Sequence, residues 1–182
     1  SMLSVNTNMG AMAALQFLNQ TQVELNATQS HINSGLKVAT AKDNGAVYAI
    51  AQNMRGNVAG YSAVSDSLNR GVSTVDVAIS AGQSISDLLN ELKSKALAAA
   101  DASLDTASRN ALNADFTALR DQITTIVQNA SFNGTNLVDG SVANFQALAS
   151  ADGTKKITAA GQTLKLSGAI VTVKSTSTIS TP

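Results

Sequence analysis

Apolar residues near the start of the chain recur at helical spacing along one narrow row. Over residues 8–33 the apolar positions are Met12, Leu15, Leu18, Leu25 and Ile32. Leu18, Leu25 and Ile32 are spaced by seven and Leu15 lies three before Leu18, which predicts an amphipathic helix roughly 40 Å long. Gln22 and Gln29 interrupt the row where a strong coiled coil would carry Leu. Gly35 is well placed to stop the helix. So thin an apolar face does not hold a helix in water, so this segment is expected to order only when partners cover it.

Residues 37–60 are expected to form a linker. Ala41-Lys42-Asp43-Asn44-Gly45 has turn chemistry, residues 46–55 fit a short helix, and Gly56 and Gly60 loosen its exit. A second long helix is predicted over residues 62–100. Leu68, Val72, Val75 and Ile79 step 4-3-4, and after Gly82 the row resumes at Ile85, Leu88, Leu89, Leu92 and Leu97. Gly71 and Gly82 each cost up to about 1 kcal/mol relative to Ala, and both permit a neighbouring helix to approach closely. Asp101-Ala-Ser-Leu-Asp105 breaks the pattern, and Asp105 or Thr106 can cap a third helix over residues 107–130. Its row is the cleanest in the chain: Leu112, Phe116, Leu119, Ile123 and Ile126 step 4-3-4-3. The short connection predicts an antiparallel hairpin, closed by the Asn133-Gly134 turn. A second helix of roughly 58 Å does not fit a globule with a radius of gyration near 16 Å, so an elongated rod is expected.

Beyond Asn136 the period falls to two. Strands are expected over residues 144–149, 155–159, 162–166 and 170–174, with turns at Asp139-Gly140, Asp152-Gly153 and Ser167-Gly168. They form a small β appendage to a mainly α chain. The Ser/Thr-rich residues 175–182 are expected to be disordered. The resulting division is 1–36, an N-terminal helix; 37–60, a linker; 61–134, the core hairpin; 135–174, the β region; and 175–182, a tail.

Composition narrows the chemistry. The only Pro is Pro182, so nothing before it forbids long helices. Lys plus Arg and Asp plus Glu are 12 each, which gives no electrostatic footprint for nucleic acid. There is no Cys and one His, which excludes thiolate nucleophiles and multi-His metal sites. His31 has no Ser or Asp matched to it as a triad and reads as a solvated residue. Asp43 and Asp66 fit no metal-ligand spacing, and Asn133-Gly134-Thr135 lacks the Lys of a phosphate loop. No stretch approaches the roughly 18 consecutive apolar residues of a membrane span. Residues 1–10 lack the basic and apolar regions of a Sec-type signal. No cofactor and no catalytic residue is expected; a structural or assembly role is.

Ile32-Asn33-Ser34-Gly35-Leu36-Lys37, followed by Ala41-Lys42-Asp43-Asn44-Gly45-Ala46, is similar to the N-terminal signature of the bacterial flagellin family. Ser4-Val5-Asn6-Thr7-Asn8 resembles its opening, and Ser131-Phe132-Asn133-Gly134 the turn that closes its second core helix. Asp66-Ser67-Leu68-Asn69-Arg70-Gly71 and Leu119-Arg120-Asp121-Gln122-Ile123 fit between them, and the Ala-rich hairpin with its short appendage looks most like flagellins of alphaproteobacteria.

The resemblance implies a structural subunit of the flagellar filament, secreted through the filament channel and extracellular once assembled. Its implied partners are other flagellin subunits, an export chaperone and the export apparatus, and hook-associated and cap proteins, with no membrane insertion. Leu15, Leu18, Leu25, Ile32, Leu68, Val72, Val75 and Ile79 are then the expected assembly interface. Leu89, Leu92, Leu112, Phe116, Leu119, Ile123 and Ile126 are the expected hairpin core. The family also carries C-terminal helices that pair with the N-terminal ones; none is present here, so a portion of a longer subunit is expected. Some flagellins are recognised by a Toll-like receptor through an Arg on the second long helix. In the matching stretch Glu91 stands where that Arg is expected and Lys95 where a Leu is, which implies weak or absent receptor activation. A hook-associated junction protein and a flagellin-like surface adhesin are the competing roles.

Phe116 lies mid-row in the third helix, so Phe116→Ala is expected to cost on the order of 3–5 kcal/mol. Thermal unfolding checks it, and an unchanged melting temperature would place Phe116 on the wrong face.

Overall fold

The computed structural model describes residues 9–36, 42 and 44–182. The resemblance-bearing residues 4–8, Lys37, Ala41 and Asp43 lie outside the described residues. In chain order the elements are α1 (Met9–Ser34), α2 (Gly45–Ala99), α3 (Thr106–Asn129), β1 (Ser131–Phe132), β2 (Thr135–Asn136), β3 (Asn144–Leu148) and β4 (Lys156–Ala160). The chain divides into two units, Ser1–Ala59 and Gly60–Pro182.

In the first unit, the polar residues of α1 bond along their own helix. Gln20 donates to Glu24 at 3.2 Å and Gln22 to Asn26 at 3.1 Å, while the Thr21 and Thr28 hydroxyls donate to the carbonyls of Phe17 and Glu24. Such i,i+4 side-chain pairs add only about 0.2–0.5 kcal/mol each. Gly35 ends the helix at φ 67°. Asn44 is the entry cap of α2 rather than part of a free turn: its Oδ1 accepts from the Val47 amide at 3.1 Å.

The pattern predicts a short helix ending at Arg55 and a new one starting near Ser62. The structure instead carries a single helix through Gly56 and Gly60. Each glycine costs about 1 kcal/mol in a helix. Ending and renucleating the helix would cost more, because the first turn fixes several dihedrals for one hydrogen bond.

In the second unit, α2 and α3 form the expected antiparallel hairpin. At the connection, Asp105 caps α3 by accepting from the Ser108 amide at 2.7 Å, which holds its carboxyl below the usual carboxylate range. Arg109 reaches back from α3 to the end of α2, its Nε donating to the Ala99 carbonyl at 3.1 Å and its Nη2 to the Asp101 carbonyl at 3.0 Å. A cation there also opposes the negative end of the helix dipole. The core between the helices joins Ile85, Leu88 and Leu92 to Phe116, Ile123 and Val127, with Val171 closing one side. A second cluster, Ala81, Ala130 and Val138, continues it toward the β region.

The chain turns at Asn133 and Gly134, with φ of 49° and 81°, giving the two-residue hairpin between β1 and β2. Both central residues need positive φ, which Asn-Gly tolerates. Asn136 then fixes the end of α3. Its Nδ2 donates to the Val127 carbonyl at 2.7 Å, and its Oδ1 accepts from the amides of Val138 and Asp139. β3 and β4 pair antiparallel from Asn144↔Ala160 to Leu148↔Lys156. In their turn, the Ser150 hydroxyl, the Thr154 amide and the Thr154 hydroxyl donate to Asp152, which lowers its pKa to about 2.

Of the two later strands expected, residues 162–166 contribute one bridge, Asp139↔Thr163, and 170–174 none. The segment wraps the hairpin instead, burying Val171 and packing Leu164 and Leu166 against the core. Its amides bond to scattered acceptors, with Leu164 donating to the Val138 carbonyl and Ser167 to that of Val173. Contacts also reach into residues 175–182, where disorder is expected. Ile179 packs against the hairpin core, and its amide donates to Asn113 Oδ1 at 2.9 Å.

Asn136→Ala would leave a buried carbonyl and two amides without their partner, so a loss of at least about 2 kcal/mol is expected. Thermal melts of the variant beside wild type measure it. A melting temperature within error of wild type would mean that water replaces all three bonds.

Candidate assembly surface

The first unit buries nothing among its described residues. Only Ala27, His31, Tyr48, Ala51 and Arg55 are half-buried. The expected assembly row of α1 is open to solvent: Leu15 is 59% exposed, Leu18 63%, Leu25 49% and Ile32 73%. Met12, Phe17 and Val23 are exposed as well, so apolar surface extends beyond the row. Isolated exposed apolar side chains are ordinary, but a run of them along one helix makes that helix the candidate contact surface.

In the second unit, the four residues expected on α2 divide. Leu68 and Val75 are half-buried, while Val72 and Ile79 are exposed. Leu68, Val72 and Val75 form one wall of an apolar groove of about 340 Å³, and Phe145, Ala147, Ile157 and Ala159 of β3 and β4 form the other. The β hairpin seats against α2 through small residues. A side chain on Gly71 would meet Ala147 Cβ at 3.3 Å, and the Ser67 hydroxyl accepts from the Leu148 amide at 2.9 Å. Gly71 thus admits a strand rather than the expected helix, and Gly82 has nothing within 4 Å of the corresponding position. The period-two alternation of residues 144–149 and 155–159 identified these strands without revealing that they wall a groove with Leu68 and Val75.

Of the residues expected in the hairpin core, all but Leu112 belong to the main apolar cluster of the second unit. Phe116, Ile123 and Leu92 are buried; Leu89, Leu119 and Ile126 pack against them; Leu112 is half-buried near the hairpin's connection. Val127, Val138 and Val171 complete the core. Glu91 is exposed on α2. Lys95 bonds across the hairpin to Asp115 at 3.0 Å, a partly exposed pair that adds little stability. Among the described residues, no group of three His, Asp or Glu is placed to hold a metal, and no helix is long and apolar enough to cross a membrane.

Residues 5–143 match the family model for the bacterial flagellin N-terminal helical region. The chain belongs to the bacterial flagellin family. It is 52% identical over 175 residues to flagellin FljK of Caulobacter vibrioides, which covers 96% of this chain and 64% of FljK. It is 50% identical over the same length to flagellin FljM of that organism, and 41% identical over 135 residues to flagellin A of Rhizobium meliloti. The last alignment covers 74% of this chain and 34% of that flagellin. The chain therefore spans less than two thirds of the length of the Caulobacter flagellins it matches. The alphaproteobacterial character expected from the sequence agrees with these relatives. The bacterial flagellins are a family of structural proteins rather than of enzymes.

Proposed function

We propose that this flagellin chain is part of a structural subunit of the flagellar filament, and that it polymerises through the open rows of α1 and α2. One observation carries the reading. In a member of this family, α1 presents Leu15, Leu18, Leu25 and Ile32 to solvent along a single row, with no cover from the described residues of its own unit. Burying one such side chain is worth about 1.5–3 kcal/mol, so a row of them supplies a strong drive toward assembly. The groove of Leu68, Val72 and Val75 is the second such surface. C-terminal helices of the complete subunit, which the resemblance implies, are its natural cover.

In this account residues 1–36 are the assembly segment, 37–60 a linker by role although largely helical, and 61–134 the load-bearing hairpin. The β region 135–174 and the segment 175–182 lie against that hairpin. Export unfolded through the filament channel, with help from a chaperone, the export apparatus and cap proteins, suits a chain without cysteine. A hook-associated role would use similar helices in one or a few layers only. Labelling along whole filaments, and not at hook junctions alone, distinguishes the two.

Leu25→Asp in the complete subunit is expected to leave the α2/α3 hairpin folded and to stop polymerisation, with electron microscopy of polymerisation reactions as the readout. Filaments of normal length and number from this variant would remove α1 from the interface. We also propose that the chain activates the Toll-like receptor weakly or not at all, because Glu91 places a carboxylate where recognition needs a guanidinium. A cell reporter assay with the complete subunit is expected to show a weak response or none, and a response at low concentration would overturn this.

A further inference from the structure

The last residues of the chain are held against α3 by two side chains that share one face. Asn113 and Arg120 are seven residues apart, two helical turns, so they point the same way. The Ile179 amide donates to Asn113 Oδ1 at 2.9 Å, and Arg120 Nη1 donates to the Ser177 carbonyl at 2.7 Å. The earlier residue of α3 holds the later residue of the tail, so the segment runs antiparallel to the helix. The Ile179 side chain packs on the hairpin core.

Arg120 is also held by its neighbour on α3. Its Nη2 and Nε both lie close to Asp121 Oδ1, at 2.9 and 3.0 Å, and its side chain is only 13% exposed. Two of its donor nitrogens are thus committed to a carboxylate, and Nη1 is left aimed at the backbone. The tail has its own local order upstream: the Ser177 amide donates to the Lys174 carbonyl, the Lys174 amide to the Ser177 hydroxyl, and the Ser175 amide to the Ser167 hydroxyl. These bonds are separate from the backbone ladders of α2 and α3.

We propose that Asn113 and Arg120 form a two-point latch, and that residues 175–179 are a strap that opens as one unit while the helical hairpin stays closed. The strap seals the core edge that Ile179 covers, and its opening uncovers apolar side chains there without unfolding α2 or α3. Opening is rare with both points engaged and frequent when either is lost. A cooperative strap releases at every position when one contact is removed, whereas independent contacts respond one at a time.

Native-state amide hydrogen exchange on the full chain separates these outcomes. Arg120→Ala has no direct contact with the Ile179 amide, yet it is expected to raise exchange there at least about tenfold, while amides of Ile85 to Leu92 and of Phe116 to Val127 stay within about twofold of wild type. Asn113→Ala is expected to raise exchange across Ser175, Ser177 and Ile179 together. Arg120→Lys, which keeps a donor and a charge, is expected to recover part of the protection. Exchange at Ile179 unchanged by Arg120→Ala, or helix amides accelerating in parallel with it, would overturn the proposal. Unchanged helix amides also rule out simple misfolding of the variants.

Discussion

Ile123 and Val127 are the least exposed core side chains among the described residues, and both pack with the α2 residues Ile85, Leu88 and Leu92. Burial of these side chains is what the second unit depends on. Once Ile85, Leu88 and Leu92 meet Phe116, Ile123 and Val127, the ends of the helices are close enough to be tied. Arg109 ties one end by capping α2, and Asn136 the other by holding the Val127 carbonyl. The β hairpin and the wrapped segment through Val171 add to a framework that the two helices have already set.

The apolar residues of α1 and the outer row of α2 stand in contrast. They follow the same helical spacing as the hairpin core, yet among the described residues the α1 row has no cover in its own unit, and on α2 Val72 and Ile79 stay exposed while β3 and β4 only partly cover Leu68 and Val75. Nothing in residue type separates Leu25 from Leu92; what separates them is that Leu92 has α3 opposite it. The chain thus combines a closed pair of helices with open helical rows. On the proposed reading a filament subunit needs both, because it must keep its shape while joining its neighbours.

The helices and the hairpin core were legible because their signal repeats. Leu112, Phe116, Leu119, Ile123 and Ile126 mark a face five times over, and the short connection leaves only an antiparallel return. The Asp105 cap and the Asn133-Gly134 turn were legible because their chemistry is local. What escaped was set by contacts between distant residues. Val138 and Val171 sit in irregular backbone with no period to mark them, and Ile179 lies in a Ser/Thr-rich stretch whose composition reads as disorder. Its docking depends on Asn113 and Arg120, which are 66 and 57 residues from their backbone partners. The helix continues through Gly56 and Gly60 because propensity at two positions is small beside the cooperativity of a long helix. The apolar row of α1 was legible as a row; its period carried no sign of what would cover it.

The absence of cysteine permits a direct measurement of cover. Single cysteines at Leu18 and Val72 in the complete subunit can be labelled with a maleimide before and after polymerisation, with one at the exposed Glu91 as the reference. Open rows that close on assembly predict rapid labelling of both in the unassembled segment or chain and near-complete protection in filaments. Labelling of Leu18→Cys in filaments as fast as in the unassembled protein would contradict the account.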